Sequence, residues 1–477
     1  MSSPAAAARA GPAPRHVLAP LALTQFVASF AGSNMNVAIN SIGKDLGTTV
    51  HGVQTAITLF LLCMAALMIP GSKLTDKWGR RRCLLLGLLI YGIGAIISAL
   101  APGLPTLIVG YSAFEGVGSA LMIPPIYILA TLYFDSVQSR ARAFGTISGA
   151  AGIGSATGPL IGGLITTAIS WRVSFLFQAL IVALVVVLSA RISDPLPADP
   201  KRPFDLTGAA VSAAGLFFVV IGILQAGNNG LLLGIFIALG LLLLAAFYLH
   251  IRRREHAHEE PLLRTSLFKN RTSNLGLVTQ NVQWLFMMGI TFVVSVYLQT
   301  VQHFSAIKTG LVFTAATVGL LISSAFAQRM ASRREQRTLI RGGFVASLVG
   351  VGLLLALAGL TRHVWSFLPG LFVIGLGVGV MITASVNVVQ SAFPEREQGE
   401  ISGLSRSVSN LGSSMGTAIA GTILVADLVH GGYVAATIVL TAVAALGLVA
   451  ALLLPPEPRR RRELSSPPEP ATSAAHP

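Results

Sequence analysis

Long runs of apolar residues, separated by short polar stretches, follow one another along nearly the whole chain. A helix needs about 20 apolar residues to cross a bilayer, and these runs reach that length without the alternation that a β-barrel strand shows. The pattern predicts an all-α polytopic membrane protein with fourteen transmembrane helices, of which the seventh and eighth are the weakest. The predicted segments are 17–40, 51–71, 83–101, 105–132, 144–168, 172–191, 206–226, 231–251, 273–299, 306–329, 341–361, 365–390, 402–427 and 432–454.

The composition agrees with this class. Of the 477 residues, 53% are hydrophobic and only 11% are charged. Soluble domains carry about 25% charged residues, so a soluble globular protein is excluded. The net charge of +15 would suggest nucleic acid in a soluble protein. In a membrane protein the basic residues instead set orientation, and no nucleic-acid partner is predicted.

The basic residues fall mainly on one side of the predicted helices. With the N-terminus in the cytoplasm, the even-numbered loops hold most of them, including Lys73, Lys77 and Arg80. The opposite side holds only four of the 33 Lys and Arg residues, which are Lys44, Arg172, Lys308 and Arg362. Because Lys and Arg favour the cytoplasmic side, both termini are predicted to be cytoplasmic in a multi-pass cell-membrane protein.

The chain partly repeats itself at an offset of 258 residues, which carries Gly145 to Gly403 and the fifth helix to the thirteenth. The offset therefore shifts the chain by eight helices. A repeat of six helices with two further helices inserted between the halves accounts for that number. Parallel repeats of this kind place a substrate site near the midplane between them. The predicted organisation is a disordered tail 1–16, a six-helix bundle 17–192, two inserted helices 206–251, a six-helix bundle 273–454 and a disordered basic tail 455–477.

Two segments carry the resemblance to a known family. The loop GSKLTDKWGRRR (71–82) resembles the G-x-L-x-D-R-x-G-R-R-R loop of the major facilitator superfamily, with Lys77 at the usual Arg position. The resemblance implies a cytoplasmic latch between the halves, carried by Gly71, Asp76, Gly79 and Arg80.

The fifth helix carries GAAGIGSATGPLIGG (149–163), a face of small residues broken by a proline. Such a face lets a neighbouring helix approach closely. It resembles the antiporter motif of exporters in the same superfamily, and the matching residues are Gly154, Gly158, Pro159, Gly162 and Gly163. The stretches 171–181 and 297–310 resemble the fourteen-helix drug:proton antiporter branch, which implies outward transport of drug-like compounds.

The sequence departs from the family where proton movement is concerned. Ala31 stands where the first helix usually has an Asp, and Ser112 stands where the fourth helix usually has an Arg. Glu115 replaces the usual Gln, about ten residues into the fourth helix, and a carboxylate at that depth is costly when ionised. We interpret Glu115 as the candidate proton-coupling residue, with a structural hydrogen bond as the alternative. Asp427, at the end of the thirteenth helix, is the second candidate.

Polar faces recur on the helices that line the central cavity in superfamily folds, namely the first, fourth, ninth and twelfth here. Amides, aromatics and methionines in such a cavity suit amphipathic organic molecules, whereas interhelical hydrogen bonds are the alternative role for each amide. The cavity candidates are Gln25, Ser29, Ser33, Asn34, Asn36, Tyr111, Ser112, Gln280, Asn281, Gln283, Trp284, Met287, Thr383 and Asn387.

Together these features predict a secondary transporter that exports small amphipathic compounds by proton antiport and alternating access. An uncoupled facilitator or importer of the same fold is one alternative, and a non-transporting sensor or scaffold is another. The expected partners are a small-molecule substrate, protons and the lipid bilayer, and a monomer is expected. No enzyme signature, cofactor or metal site is predicted.

Overall fold

The computed structural model describes residues 15–134, 137–195, 198–226, 229–330, 334–360, 363–394, 397–426 and 430–456. Most of the two predicted tails and Asp427 lie outside these ranges. All regular structure in the described part is helical. Small polar side chains begin several helices: the side chain of Thr49 accepts a hydrogen bond from the Gly52 amide at 3.2 Å, and that of Asn270 accepts one from the Ser273 amide at 3.1 Å.

The helices before residue 190 form the N-terminal half. They are α1 Arg15–Asn34, α2 Ile39–Asp45, α3 Val50–Trp78, α4 Arg80–Ala99, α5 Leu104–Leu107, a π-helical stretch Ile108–Glu115, α6 Gly116–Tyr133, α7 Val137–Ala168 and α8 Trp171–Ser189. Two further helices, which pack against each other, come between the halves along the chain. They are α9 Leu206–Leu224 and α10 Gly230–His256.

The helices after residue 270 form the C-terminal half. They are α11 Arg271–Val296 with a π-helical end Tyr297–Val301, α12 Ala306–Met330, α13 Gln336–Leu360, α14 Phe367–Gln390, α15 Gln398–Ala426 and α16 His430–Leu452. Each of the fourteen predicted segments overlaps a helix. By length and composition, twelve helical segments of the described chain could cross a membrane. The other two long helices, α7 and α15, are rich in Gly and Ser, so the count of fourteen spans stays a prediction.

Glycines give the two halves the same internal packing. A Cβ at Gly154 on α7 would collide with the Phe26 carbonyl on α1, and a Cβ at Gly412 on α15 would collide with the Asn281 carbonyl on α11. In each half, therefore, the fifth long helix packs closely against the first. This equivalence is the one that the sequence repeat predicts.

The same two helices also join the halves to each other. Gly163 on α7 lies against the Ala306 carbonyl of α12, and Gly421 on α15 lies against the Gln54 side chain of α3. The gap between the halves is therefore bordered by α7 with α12 on one side and by α15 with α3 on the other. We call the facing surfaces within this border, on α1, α6, α11 and α15, the inter-half surface.

The two ends of the molecule differ. We call the end that holds loop 71–82 the basic end, which is the predicted cytoplasmic side. At the opposite end the halves are joined by hydrogen bonds, such as that from Gln54 Nε2 to the Ala418 carbonyl at 3.0 Å. At the basic end of α7, a Cβ at Gly145 or Gly149 would meet nothing within 4 Å. On the α7 side, contacts between the halves thus lie toward the opposite end, with open space beside Gly145 and Gly149, whereas α3 and α15 are in contact toward both ends.

Candidate functional site

A cluster of polar and aromatic side chains joins four helices, α1, α6, α7 and α15, at the inter-half surface. The Tyr127 hydroxyl of α6 donates a hydrogen bond to Gln25 Oε1 of α1 at 3.2 Å, and Gln25 Nε2 donates to Ser29 Oγ at 3.3 Å. From the other half, the guanidinium carbon of Arg406 on α15 lies 4.0 Å from the centroid of the Tyr127 ring. The Phe144 ring stacks on Tyr127 at 6.0 Å. The cluster therefore holds an aromatic platform, an amide and one cation.

The predicted residues of α11 divide between this surface and the bundle interior. Gln280, Trp284 and Met287 follow one another at steps of four and three residues, so they share a helix face. The Ser405 hydroxyl of α15 donates to Gln280 Oε1 at 2.9 Å. In contrast, Asn281 Nδ2 donates to the Val408 carbonyl at 2.9 Å, which makes it a packing contact between α11 and α15.

Gln283 and the predicted residues of α14 fall away from the cluster. Gln283 Oε1 accepts a hydrogen bond from Ser385 of α14 at 3.2 Å. Ser385 is thus the α14 residue that bonds α11. Within the described chain no hydrogen bond joins Thr383 or Asn387 to the cluster.

The predicted stripe on α1 changes role toward the opposite end. The carbonyl of Asn36 accepts hydrogen bonds from Ser295 and from Gln299 Nε2, both on the α11 segment. Asn40 Nδ2 donates to the Gln299 carbonyl at 2.6 Å. These bonds seal the halves together at the opposite end. The Asn36 backbone and the Asn40 side chain therefore form part of a closure in this conformation, whereas Asn36 Nδ2 has no hydrogen bond among the described residues.

Two further α1 residues contact the small face of α7. The Ser33 hydroxyl donates to the Phe30 carbonyl at 3.1 Å and lies where a Cβ at Gly158 would be. Asn34 Oδ1 occupies the equivalent place at Gly162. Two glycines of the exporter-like motif, Gly158 and Gly162, thus lie against α1 side chains, and the Pro159 carbonyl lies against Gly310 of α12.

Glu115 lies inside the N-terminal half, at the end of the π-helical stretch. Its side chain is completely buried, and neither carboxyl oxygen has a hydrogen bond of good geometry among the described residues. Tyr91 and Tyr111, both fully buried, are the titratable side chains that interact with it. The Tyr91 hydroxyl donates instead to Gln178 Oε1 at 2.5 Å. Glu115 is therefore packed between α4 and α6, away from the Arg406 cluster.

Tyr111 and Ser112 are likewise internal to this half. The Tyr111 hydroxyl donates to the Ala31 carbonyl at 3.4 Å, and its ring stacks on Phe60 at 4.5 Å. The Ser112 hydroxyl donates to the Ala56 carbonyl at 2.7 Å. Their role as cavity residues stays a prediction, because their polar atoms here bond neighbouring helices.

The predicted latch residues lie at the basic end. Gly79 has a φ of +92°, a conformation that favours glycine, and it lets α4 begin directly after α3. Asp76 pairs with Arg80 at 3.2 Å and with Arg202 at 2.8 Å. Gly71 lies against the Ala120 carbonyl of α6, where a Cβ would collide.

The ion pairs of the loop extend to the rest of the basic end. Lys73 pairs with Glu400 of α15 at 2.8 Å and with Glu260, after α10, at 3.3 Å. Arg202, before α9, pairs with the same Glu260 at 2.8 Å. Burial alone would raise the pKa of Glu260, but Arg202 and Lys73 outweigh it and lower that pKa. The loop thus connects both halves and both flanks of the inserted helices.

Arg406 is the site residue that our reading of the sequence missed. It lies within the predicted span 402–427, where an Arg is as unusual as the acid Glu115. Its serine neighbours on both sides make the segment look like an ordinary small-residue helix. A search for every charged residue inside a predicted span would have found it.

Comparisons with known proteins establish the class. The sequence model of the Major Facilitator Superfamily matches residues 21–417 and 276–476. The chain is 30% identical over 428 residues to the puromycin resistance protein Pur8 of Streptomyces alboniger, covering 87% of this chain and 83% of that protein. It is also 30% identical over 418 residues to the multidrug efflux pump LfrA of Mycolicibacterium smegmatis, covering 86% and 80%.

A solved structure shares the fold. The peptide transporter POT, in complex with sulfate, superposes with a TM-score of 0.66 over 92% of this chain and 93% of that one, at 17% sequence identity. This chain therefore belongs to the major facilitator superfamily. It is a multi-pass cell-membrane transporter of small molecules and not an enzyme, as the sequence predicts.

Proposed function

We propose that this protein exports small amphipathic organic compounds in exchange for protons, by alternating access to a site between two six-helix halves. Fourteen membrane-spanning helices, with both termini in the cytoplasm, would build it. The observation that carries the proposal is the inter-half surface, which is polar, sealed by hydrogen bonds at the opposite end and open beside Gly145 and Gly149 of α7 toward the basic end. One sealed end is what a transporter needs in each of its two access states.

The relatives support the direction of transport. The similar proteins named above are a puromycin resistance protein and a multidrug efflux pump. The second name describes efflux from the cell, and the first describes resistance to a drug. Export by this chain also agrees with its Gly–Pro segment on α7, which gives α1 and α12 their close contacts. Amphipathic compounds fit a surface on which Trp284 and Met287 share a face with the amide Gln280.

Glu115 is the proposed proton carrier. An ionised carboxylate without a cation beside it is costly inside the membrane, so the group is favoured in its neutral form when closed off from water. Its position at the junction of a π-helical stretch and α6 places it where a local helix rearrangement changes its surroundings. Opening that junction to water would let the Glu115 carboxyl group release its proton. Closing the junction would require the group to be protonated again.

An uncoupled facilitator is the second candidate. It is favoured by Ala31 and Ser112 at the positions where the family usually has charged residues, and by the separation of Glu115 from the Arg406 cluster. A facilitator would carry the same compounds down their gradient without proton movement.

The test is proton flux in proteoliposomes that hold the full chain, with a panel of lipophilic cations, anions and neutral drugs that includes puromycin. Substrate should drive proton movement in the wild type. Glu115→Gln keeps the size of the side chain but cannot ionise, so it should abolish substrate-driven proton movement while binding persists. The matched control is Glu335→Gln, at a loop carboxylate that pairs with Arg337 at 2.5 Å and lies far from α6.

Normal coupling in Glu115→Gln would show that the residue is structural. Substrate movement without proton movement in the wild type would support the facilitator. If no compound of the panel moves in either direction, the export proposal is wrong.

A further inference from the structure

Arg406 is a cation within the predicted span 402–427 that the proposed proton exchange does not use. It lies about two turns from the start of α15, and its side chain is half-buried. A charge at such a depth is rare and usually marks a substrate path or a pair with an opposite charge. Arg stays protonated under all ordinary conditions, so it cannot avoid the cost by losing its charge.

No carboxylate among the described residues lies within salt-bridge distance of Arg406. The nearest acid along the same helix, Glu400, pairs with Lys73 at 2.8 Å. Glu115 is enclosed in the N-terminal half beside Tyr91. The inter-half surface therefore carries one positive charge at this level, and its one observed partner is the face of the Tyr127 ring.

The neighbours of Arg406 on α15 fix its direction. Ser405 donates to Gln280 of α11, and Ser407 donates to the Ala65 carbonyl of α3 at 2.5 Å. Successive residues of a helix point about 100° apart, so Arg406 projects between α11 and α3, toward the opposite half. Asn410 and Ser413 follow it at i+4 and i+7 and extend the same polar face.

We infer that this surface binds amphipathic compounds that carry an anionic group, with Arg406 as its partner and the Tyr127 and Phe144 rings as the platform for an aromatic portion. The inference rests on the proposed transport function and narrows its substrate class. A carboxylate or an acidic phenol can pair with the planar guanidinium through two hydrogen bonds, and Gln25 and Asn410 supply further donors. Such a ligand would also compensate the Arg406 charge when the halves close over it.

The test is binding to the purified full chain in nanodiscs, with a panel of aromatic carboxylates, each compared with its own carboxamide. Coumarin-3-carboxylate and coumarin-3-carboxamide form one fluorescent pair. The wild type should bind at least one carboxylate about tenfold more tightly than its amide, the size expected for one charge-assisted hydrogen bond. Arg406→Gln should bind the two members equally, and Arg406→Lys should retain part of the preference.

Arg253→Gln, at an exposed Arg on α10, is the matched control and should keep the preference. Carboxamide binding that survives in Arg406→Gln would show that the variant is folded. If no carboxylate is preferred over its amide, or if Arg406→Gln keeps the preference, the inference is wrong. Neutral compounds could then still be exported, so export itself would stand. Carboxylate preference without any transport would leave the inference supported and overturn the export proposal.

Discussion

Glu115 and Arg406 are two ionisable side chains within predicted spans, and their surroundings are opposite. Glu115 is 0% exposed, packed between α4 and α6, and has no basic partner among the described residues. Arg406 is half-buried on the inter-half surface, against an aromatic ring of the other half. A carboxyl group can become neutral by taking a proton, whereas a guanidinium needs a counter-charge. The enclosed position therefore suits proton exchange, and the accessible one suits an anionic ligand.

The comparison also separates two kinds of polarity that look alike in the sequence. Polar atoms around Glu115 belong to one half, since the Tyr91 and Gln178 pair joins α4 to α8. Polar groups around Arg406 come from both halves, as Tyr127 of α6, which bonds Gln25, contacts Arg406 of α15. Under the proposed alternating access, only the second set must rearrange, because it alone spans the two halves. Substrate recognition is thus expected at Arg406, and the protonation event is expected at a distance from it.

Giving each position the opposite charge should produce the largest difference in stability between the two sites. Glu115→Lys places a cation that cannot reach water in a fully buried site, so we expect it to cost about 4 kcal/mol and to abolish the folded, monodisperse protein. Arg406→Glu puts a negative charge on a half-buried surface. It should lower the free energy of unfolding by about 1 kcal/mol and the melting temperature by only a few degrees.

Thermal unfolding in detergent, followed by tryptophan fluorescence, measures both variants. Glu115→Gln is the control, because it keeps the volume without a charge and should melt near the wild type. Equal stability of Glu115→Lys and Arg406→Glu would show that the two sites are equally open to water, and the comparison would fail.

Much of the fold can be predicted from the sequence, because a local run of apolar residues indicates each long helix. The repeat of glycines correctly relates Gly154 to Gly412, since close backbone contact with the first helix of each half requires glycine at both places. The burial of Glu115 was also predictable, because its depth in the predicted span 105–132 and its small polar neighbours are visible in the sequence.

The division of polar residues among sites was not predictable. A polar stripe on one helix shows which face is polar, but it does not show which neighbour meets that face. Asn40 and Asn281 illustrate this, since the side chain of the first bonds Gln299 across the halves at the opposite end and that of the second bonds α15 within its own half. Arg406 was missed because its stacking partner, Tyr127, is far away in the sequence and belongs to the other half.

Removing one tyrosine hydroxyl at each site should give a smaller difference in stability than the charge reversals do. Tyr91→Phe deletes the donor to the buried Gln178 and leaves that amide oxygen without this bond, so we expect a loss of about 2 kcal/mol in the free energy of unfolding. Tyr127→Phe deletes the bond to Gln25 on a half-buried surface, and the loss should be about 0.5 kcal/mol.

Both rings remain in these variants, so packing is unchanged. The Arg406 stacking contact also remains in Tyr127→Phe, and the preference for carboxylates should therefore persist. The measurement is again thermal unfolding, with carboxylate binding as the second readout. A larger loss in Tyr127→Phe than in Tyr91→Phe would reverse the assignment of enclosed and accessible sites.

The smallest effect is expected outside the membrane, at Glu260, where water screens the charges. Arg202 and Lys73 lower the pKa of Glu260 despite its partial burial. A carboxylate with a lowered pKa stabilises the fold at pH values above its unfolded pKa of about 4.3, and this contribution is lost as the pH falls through the folded pKa. Because Arg202 and Glu260 are partly exposed, the contribution should stay below about 1 kcal/mol.

Glu260→Gln should therefore lower the melting temperature slightly at pH 7 and make no difference once the pH is well below 4. The comparison of wild type and variant at each pH cancels the titration of the other carboxylates. A difference that grows toward low pH would contradict the sign of the pKa change. The same series at high salt should shrink the difference at pH 7, since screening weakens exposed ion pairs, whereas the Arg406 preference for a carboxylate, formed on a half-buried surface, should fall much less.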